Sequence, residues 1–155
     1  MFQVGDKIFY PMHGAGIVEG IEEKEILGEK RYYYILNMVL REMQVMIPMD
    51  KTSNLLIREV VDSVKLDRVL ATVHQKELDP TIDPYKQRQR LNMDKMKSGD
   101  IYEGAEVFRD LTHLSKSKKL GIEEKIMLDN ARQMLISELM LVRGLAKEQA
   151  TKFFN

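Results

Sequence analysis

The spacing of apolar positions changes once along the chain, near residue 58. Before that point, short runs rich in β-branched and aromatic residues alternate with turn signals. KIFYP (7–11), AGIVEGIEEKEI (15–26), RYYYILNMVL (31–40), MQVMIP (43–48) and NLLIRE (54–59) read as five strands. Period-two alternation puts Ile17, Glu19, Ile21 and Glu23 on one face, and Val18, Gly20 and Glu22 on the other. LGEK (27–30) and LREM (40–43) supply the hairpin turns. Gly14, Gly16 and Gly20 predict the bending that a small closed barrel needs. Five short strands in so few residues fit an SH3- or Tudor-like barrel.

Beyond Val60 the period becomes helical. Val61, Val64, Val69, Leu70 and Val73 fit one amphipathic helix. A second runs from about Lys86 to Lys97 and stops at Ser98-Gly99. Asp100 caps a third, with Glu103 at the capping-box position and Ile101, Ala105, Phe108 and Leu111 on one face. The fourth, roughly Ile122 to Arg143, carries Ile126, Met127, Met134, Leu135, Leu139 and Met140 and ends at Gly144. LAKEQATKFF adds a short fifth. Pro80 and Pro84 predict a stiff extended loop between the first two helices. The expected fold is therefore α+β: a five-stranded barrel over 1–58, then an all-α domain of about five helices over 59–155.

Charge narrows the function. The 155 residues hold 24 basic and 24 acidic side chains, so the chain is neutral. Residues 1–60 carry 7 basic and 9 acidic groups, and the rest 17 and 15. That balance excludes a protein that coats nucleic acid unaided, because affinity for phosphates scales with the cations supplied. The absence of cysteine excludes disulfides and thiolate metal sites and suits a reducing cytosol. No signal peptide or bilayer-length apolar run is evident, which predicts a cytoplasmic protein without a membrane partner.

The chemistry-bearing motifs are few. GAGIVEG (14–20) resembles a dinucleotide glycine pattern, but the residues after it are strand-like and curvature explains the glycines better. His13, His74 and His113 lack metal-ligand spacing, and no nucleophile, base and carboxylate set stands out. Neither an enzyme nor a metal, cofactor or small-molecule substrate is expected. Five of the eleven methionines fall in the predicted helices, where core filling is the default; Met46, on a strand, is singled out.

One segment breaks the neutrality. Between Pro84 and Lys97 there are five basic side chains and one acidic, with Tyr85 at the head. On a helix, Lys86, Arg90 and Lys97 share a face at spacings of four and seven, flanked by Arg88 and Lys95. Composition alone favours a solvated face. The functional alternative is a phosphate-contacting helix that offers an aromatic ring to an unstacked base or groove edge. SKSKK (115–119) extends the cationic surface or forms a loop.

VGDKIFYPMHGAGIVEGIE (4–22) and MIP (46–48) resemble the polymerase-interacting barrel of CarD/CdnL-type bacterial transcription regulators, a module shared with the transcription-repair coupling factor. MDKMKSGD (93–100), AEVFRDL (105–111) and EEKIMLDNARQMLISEL (123–139) continue the resemblance through the second half. The resemblance implies that the barrel binds the RNA polymerase β subunit, partly by strand pairing. It also implies that the helical domain reaches promoter DNA at the upstream edge of the bubble and stabilises the open complex. Ile35, Met46 and Pro48 then fall on the polymerase face, with Lys24 as a charged contact. Another branch of the family carries Arg where Met46 stands. Arg88 and Arg90 match the basic DNA positions, and Lys86 and Lys97 join them from the helical spacing. The family's wedging tryptophan is replaced by Tyr85, a smaller ring with a polar tip. An adaptor that joins two proteins without touching DNA is the other reading.

Overall fold

The computed structural model describes residues 1–75 and 84–155. Pro80 lies outside the described residues, whereas Pro84 is extended and immediately precedes a helix. Strands β1 (Lys7–Tyr10), β2 (Gly14–Ile26), β3 (Glu29–Met38), β4 (Met43–Pro48) and β5 (Arg58–Glu59) form one antiparallel sheet in the order β4-β3-β2-β1-β5. Helices α1 (Ser63–Val73), α2 (Tyr85–Ser98), α3 (Ile101–Ser117), α4 (Ile122–Arg143) and α5 (Lys147–Thr151) come next, with a closing 3₁₀ turn at Lys152–Phe154. This is the α+β arrangement that the change of period implies.

Local chemistry accounts for the boundaries. The β2–β3 hairpin turns through Leu27 and Gly28, both with positive φ, as the two-residue turn that matches strand twist requires. Asp100 accepts from the backbone N–H of Tyr102 and Glu103 at 2.7 and 3.3 Å, capping α3. The reciprocal bond expected from Glu103 is supplied instead by Ser98, whose hydroxyl accepts from Asp100 N–H at 3.1 Å. Gly99 and Gly144 end α2 and α4 in the left-handed conformation.

Four expectations are corrected, the first being uniform alternation along β2: a register shift puts Val18 opposite Leu36 on the core face but Gly20 and Glu22 opposite Ile35 and Tyr33 on the other. NLLIRE contributes only Arg58–Glu59 as strand, because the N–H groups of Leu55, Leu56 and Ile57 bond locally to Lys51, Ser53 and Thr52. Val64 and Ile126 are exposed; α1 buries Val69 and Val73 as expected, with Leu66 in place of Val64. Gly14 and Gly16 serve close approach more than curvature. A Cβ at Gly16 would lie 2.8 Å from Asn37 O on β3, and one at Gly14 3.1 Å from Ser137 Oγ on α4. The irregular register falls between Val18 and Gly20.

Two cores result. Ile8, Val18, Tyr34, Leu36, Met38, Ile47 and Ile57 fill the sheet module. The buried Tyr34 hydroxyl is satisfied, accepting from Phe2 N–H at 2.9 Å. The helical core is built from apolar faces of α1, α3 and α4 with Ala150 and Phe154. Between them lies a seam in which Phe9, Ala15 and Leu141 pack together.

Polar groups fasten that seam. Glu138, 1% exposed in mid-α4, accepts two bonds from Arg58 at 2.7 and 2.8 Å and one from Val61 N–H at 2.8 Å. Arg58 Nε donates to Gly99 O at 2.8 Å, and the guanidinium lies 4.5 Å from the Phe9 ring centre. Ala15 N–H donates to Ser137 Oγ at 3.0 Å, and Lys7 Nζ to Leu141 O at 3.1 Å. Removing the carboxylate strips Val61 N–H of its acceptor and the Arg58 guanidinium, only 27% exposed, of its counter-charge. Glu138→Ala should therefore lower unfolding stability by about 3 kcal/mol in urea denaturation. A loss below about 0.5 kcal/mol, the range of surface changes, would show that the seam does not depend on this carboxylate.

Candidate nucleic-acid interface

Tyr85 is the first residue of α2, where Pro84 removes a backbone N–H that the helix start would leave unpaired anyway. The residue is 38% exposed. The hydroxyl donates to Glu123 Oε2 on α4 at 2.9 Å, and the Arg88 guanidinium lies 5.5 Å from the ring centre. The hydrogen bond to Glu123 is the main reason the phenol pKa stands above its ordinary value, with desolvation adding to it. The ring is thus held at the helix head rather than swinging freely.

The basic side chains of α2 divide into two sets. Lys86, Arg90 and Lys97 are exposed. With Tyr85, Gln89 and Glu123 they line a shallow groove of about 540 Å³. Gln89 Oε1 has no hydrogen-bond partner there among the described residues. Asp94 and Glu123 temper the charge of this groove.

Arg88 is placed elsewhere. It is 6% exposed, and its Nε and NH2 donate to Glu124 Oε2 and Oε1 at 2.8 and 3.0 Å. The residue matched to a DNA contact by resemblance is therefore a buried ion-pair partner that fastens α2 to the first turn of α4. Helical spacing could not separate it from Arg90, because the facing carboxylate comes from 36 positions away. Lys95 is likewise engaged, with Glu106 at 2.9 Å.

On the sheet, the residues singled out from the barrel converge. Cross-strand register pairs Ile35 with Met46 and with Gly20, Tyr33 with Pro48 and with Glu22, and Arg31 with Lys24. Paired residues share a face, so Lys24, Ile35, Met46 and Pro48 lie on one side of β2–β3–β4. Tyr34 and Leu36 point to the core on the other. Tyr33 belongs to the same outer face, as its alternation with Ile35 implies. Met46 is 40% exposed, Ile35 only 9%. Lys24 Nζ sits 3.2 Å from Glu22. β4 is the terminal strand of the sheet, so its outer edge offers backbone groups to a further strand.

His13 packs against Tyr10 with ring centres 4.2 Å apart and planes tilted by 42°, and His74 is the residue at the C-terminal end of α1. Among the described residues no group of three or more His, Asp or Glu could hold a metal ion. No helix there is long and apolar enough to cross a membrane.

Comparison with known proteins covers both halves. Residues 2–61 match the CarD-like/TRCF RID domain, a Tudor-like fold, and residues 68–155 match the CarD C-terminal domain. A protein of Bacillus subtilis (strain 168) named "Putative transcription factor YdeB" is 49% identical over 153 residues, which is 99% of each chain.

The two sets of basic residues should separate in stability measurements. Arg88→Ala leaves Glu124 buried and unpaired and should cost about 3 kcal/mol, whereas Arg90→Ala should stay within about 0.5 kcal/mol of wild type. Equal effects of the two substitutions on urea midpoints would contradict this division.

Proposed function

The chain belongs to the CarD-like family of transcription factors, and from that membership we propose that it regulates transcription by a two-point attachment. The outer face of β2–β3–β4 and the outer edge of β4 bind the RNA polymerase β subunit. Tyr85 with Lys86, Arg90 and Lys97 contacts promoter DNA at the upstream edge of the bubble and stabilises the open complex.

The observation that carries this reading is the exposed ring at the head of α2, beside three exposed cations, in a domain fastened rigidly to the sheet. Three cations opposed by Asp94 and Glu123 give weak binding alone. Non-specific DNA contacts have a Kd of about 10⁻⁴ to 10⁻⁶ M at physiological salt. Tethering raises the effective concentration toward the order of 1 mM, so modest contacts suffice. They favour the melted promoter if they fit it better, since only differential affinity shifts an equilibrium.

The magnitudes bear on the wedge. Stacking a base on an aromatic ring is worth about 1–3 kcal/mol, and insertion would give up the solvent-exposed Tyr85–Glu123 hydrogen bond. Tyrosine should therefore act in the same sense as tryptophan but more weakly. Arg88, in this reading, positions the ring from below and does not meet phosphate.

On purified bacterial polymerase, Tyr85→Ala and Arg90→Ala should each shorten open-complex lifetime by about three- to tenfold, the loss of one stacking or phosphate contact of about 1 kcal/mol. Wild-type lifetimes in both variants would refute the DNA contact and favour an adaptor that touches only protein. For the other attachment, Met46→Glu puts a carboxylate on the apolar outer face. It should weaken capture by the isolated β lobe about tenfold or more. Unaltered capture would move that interface off β4.

A further inference from the structure

Glu123 has no place in the DNA contact as a ligand, since a carboxylate repels phosphate, yet it is bonded to the ring at the centre of that contact. We propose that Glu123 is an autoinhibitory latch: it holds the Tyr85 ring on the protein and releases it only to DNA that offers an unstacked base. The inference rests on the DNA contact proposed above. It adds the residue that sets selectivity for melted over duplex DNA.

The latch is a defined contact. The Tyr85 hydroxyl donates to Glu123 Oε2 at 2.9 Å, tying the first residue of α2 to the first turn of α4 across 38 positions. A bond to an ionised acceptor belongs to the stronger class of hydrogen bonds. The neighbouring tie between the same helices is different in kind. Arg88 donates to Glu124 at 2.8 and 3.0 Å with both side chains buried, whereas Tyr85 and Glu123 are exposed. The exposed tie can therefore open while the buried one keeps α2 and α4 in place.

The position of the bond on the ring gives the latch its effect. A tyrosine that enters a base step does so tip first, and its tip is the hydroxyl that Glu123 holds. A contact made in the free protein and lost in the complex lowers affinity, because only differences between the two states count. In duplex DNA no unstacked base is on offer, so nothing offsets the loss and the ring stays latched. At a melted edge, stacking offsets it.

Charge adds a separate penalty. Glu123 lines the same groove as Lys86, Arg90 and Lys97. Phosphate that approaches those cations also approaches the carboxylate, and like charges brought together oppose binding. The hydrogen bond thus acts only against insertion of the ring, whereas the charge acts against every phosphate contact. A carboxylate at a helix start also favours the helix, but Glu124 beside it provides the same charge, and that role has no bearing on the phenol.

The test uses the full chain without polymerase, at low ionic strength. Its probes are a labelled duplex and a fork of the same sequence with unpaired bases at the junction. Tyr85→Phe keeps the ring and deletes the hydrogen bond. It should raise the preference for fork over duplex about two- to fivefold, the range of one exposed polar contact. Glu123→Gln keeps an acceptor and deletes the charge, and should tighten binding to both DNAs. In the free protein, the Tyr85 phenol pKa is raised chiefly by its hydrogen bond to Glu123, with desolvation next. Ring-labelled NMR of Glu123→Gln should show that phenol titrating nearer its ordinary value.

Fork affinity that is unchanged or lowered in Tyr85→Phe would overturn the latch and make the contact a strut that prearranges the ring. An unaltered phenol titration in Glu123→Gln would overturn it as well. Tyr85→Ala separates the two levels of inference. If it binds the fork as tightly as wild type, the ring meets no base, and the DNA contact falls together with the latch. If it binds the fork more weakly while Tyr85→Phe gains nothing, the DNA contact stands and the latch alone is refuted.

Discussion

Burial of the Glu138 carboxylate governs how the two modules are held. A carboxylate removed from water is tolerated only when its oxygens regain their hydrogen bonds, and a single missing partner is expensive. Here the partners are Arg58 on β5 and the backbone of Val61 just beyond it. The side chain on mid-α4 therefore cannot be satisfied unless the sheet is docked. Ser137 beside it repeats the arrangement with Ala15, and Gly14 leaves the space for that approach. The docking fixes the edge of β4 relative to the head of α2. A fixed span matters for any two-point attachment, because slack lowers effective concentration.

The first turn of α4 applies the same logic to α2. Glu123 and Glu124 are adjacent, at a helix start where negative charge is favoured. Glu124 takes the buried Arg88, and Glu123 takes the exposed Tyr85 hydroxyl. One carboxylate anchors the helix, and its neighbour restrains the ring that the helix presents. The consequence for charge is a subtraction. A segment with five cations presents three on its surface once Arg88 and Lys95 are engaged. The neutral charge of the whole chain and the weak charge of this face are thus consistent with a domain that meets DNA only when something else brings it there.

Much of the fold was legible because it rests on local rules. The periodicity of α4 predicted Ile122 to Arg143 with Gly144 after it, and those are the observed ends. Asp100 as a cap and Gly99 as a stop arise from backbone groups within a few residues. The illegible parts involve either competing local structures or partners distant in sequence. NLLIRE has strand composition, yet its backbone donors are taken by a local turn. Val64 and Ile126 fit apolar stripes but meet no neighbouring element, among the described residues, that would cover them. Strand alternation did not reveal that Lys24, Ile35, Met46 and Pro48 share a face, since that depends on register across three strands.

By itself the sequence determined the element types and most of their ends, the division into a sheet module and a helical one, and an unusual tyrosine heading a basic helix. Propensity, capping and hydrophobic period act over three or four residues, so they can be read from a single chain. Only the tertiary structure decided which charges are engaged and which face solvent. Arg88 and Arg90 look equivalent in a helix, but burial against a carboxylate 36 residues away turns one into a strut and leaves the other in water. The free energy of an ionised group depends on the partners and water around it, and those are set by the fold.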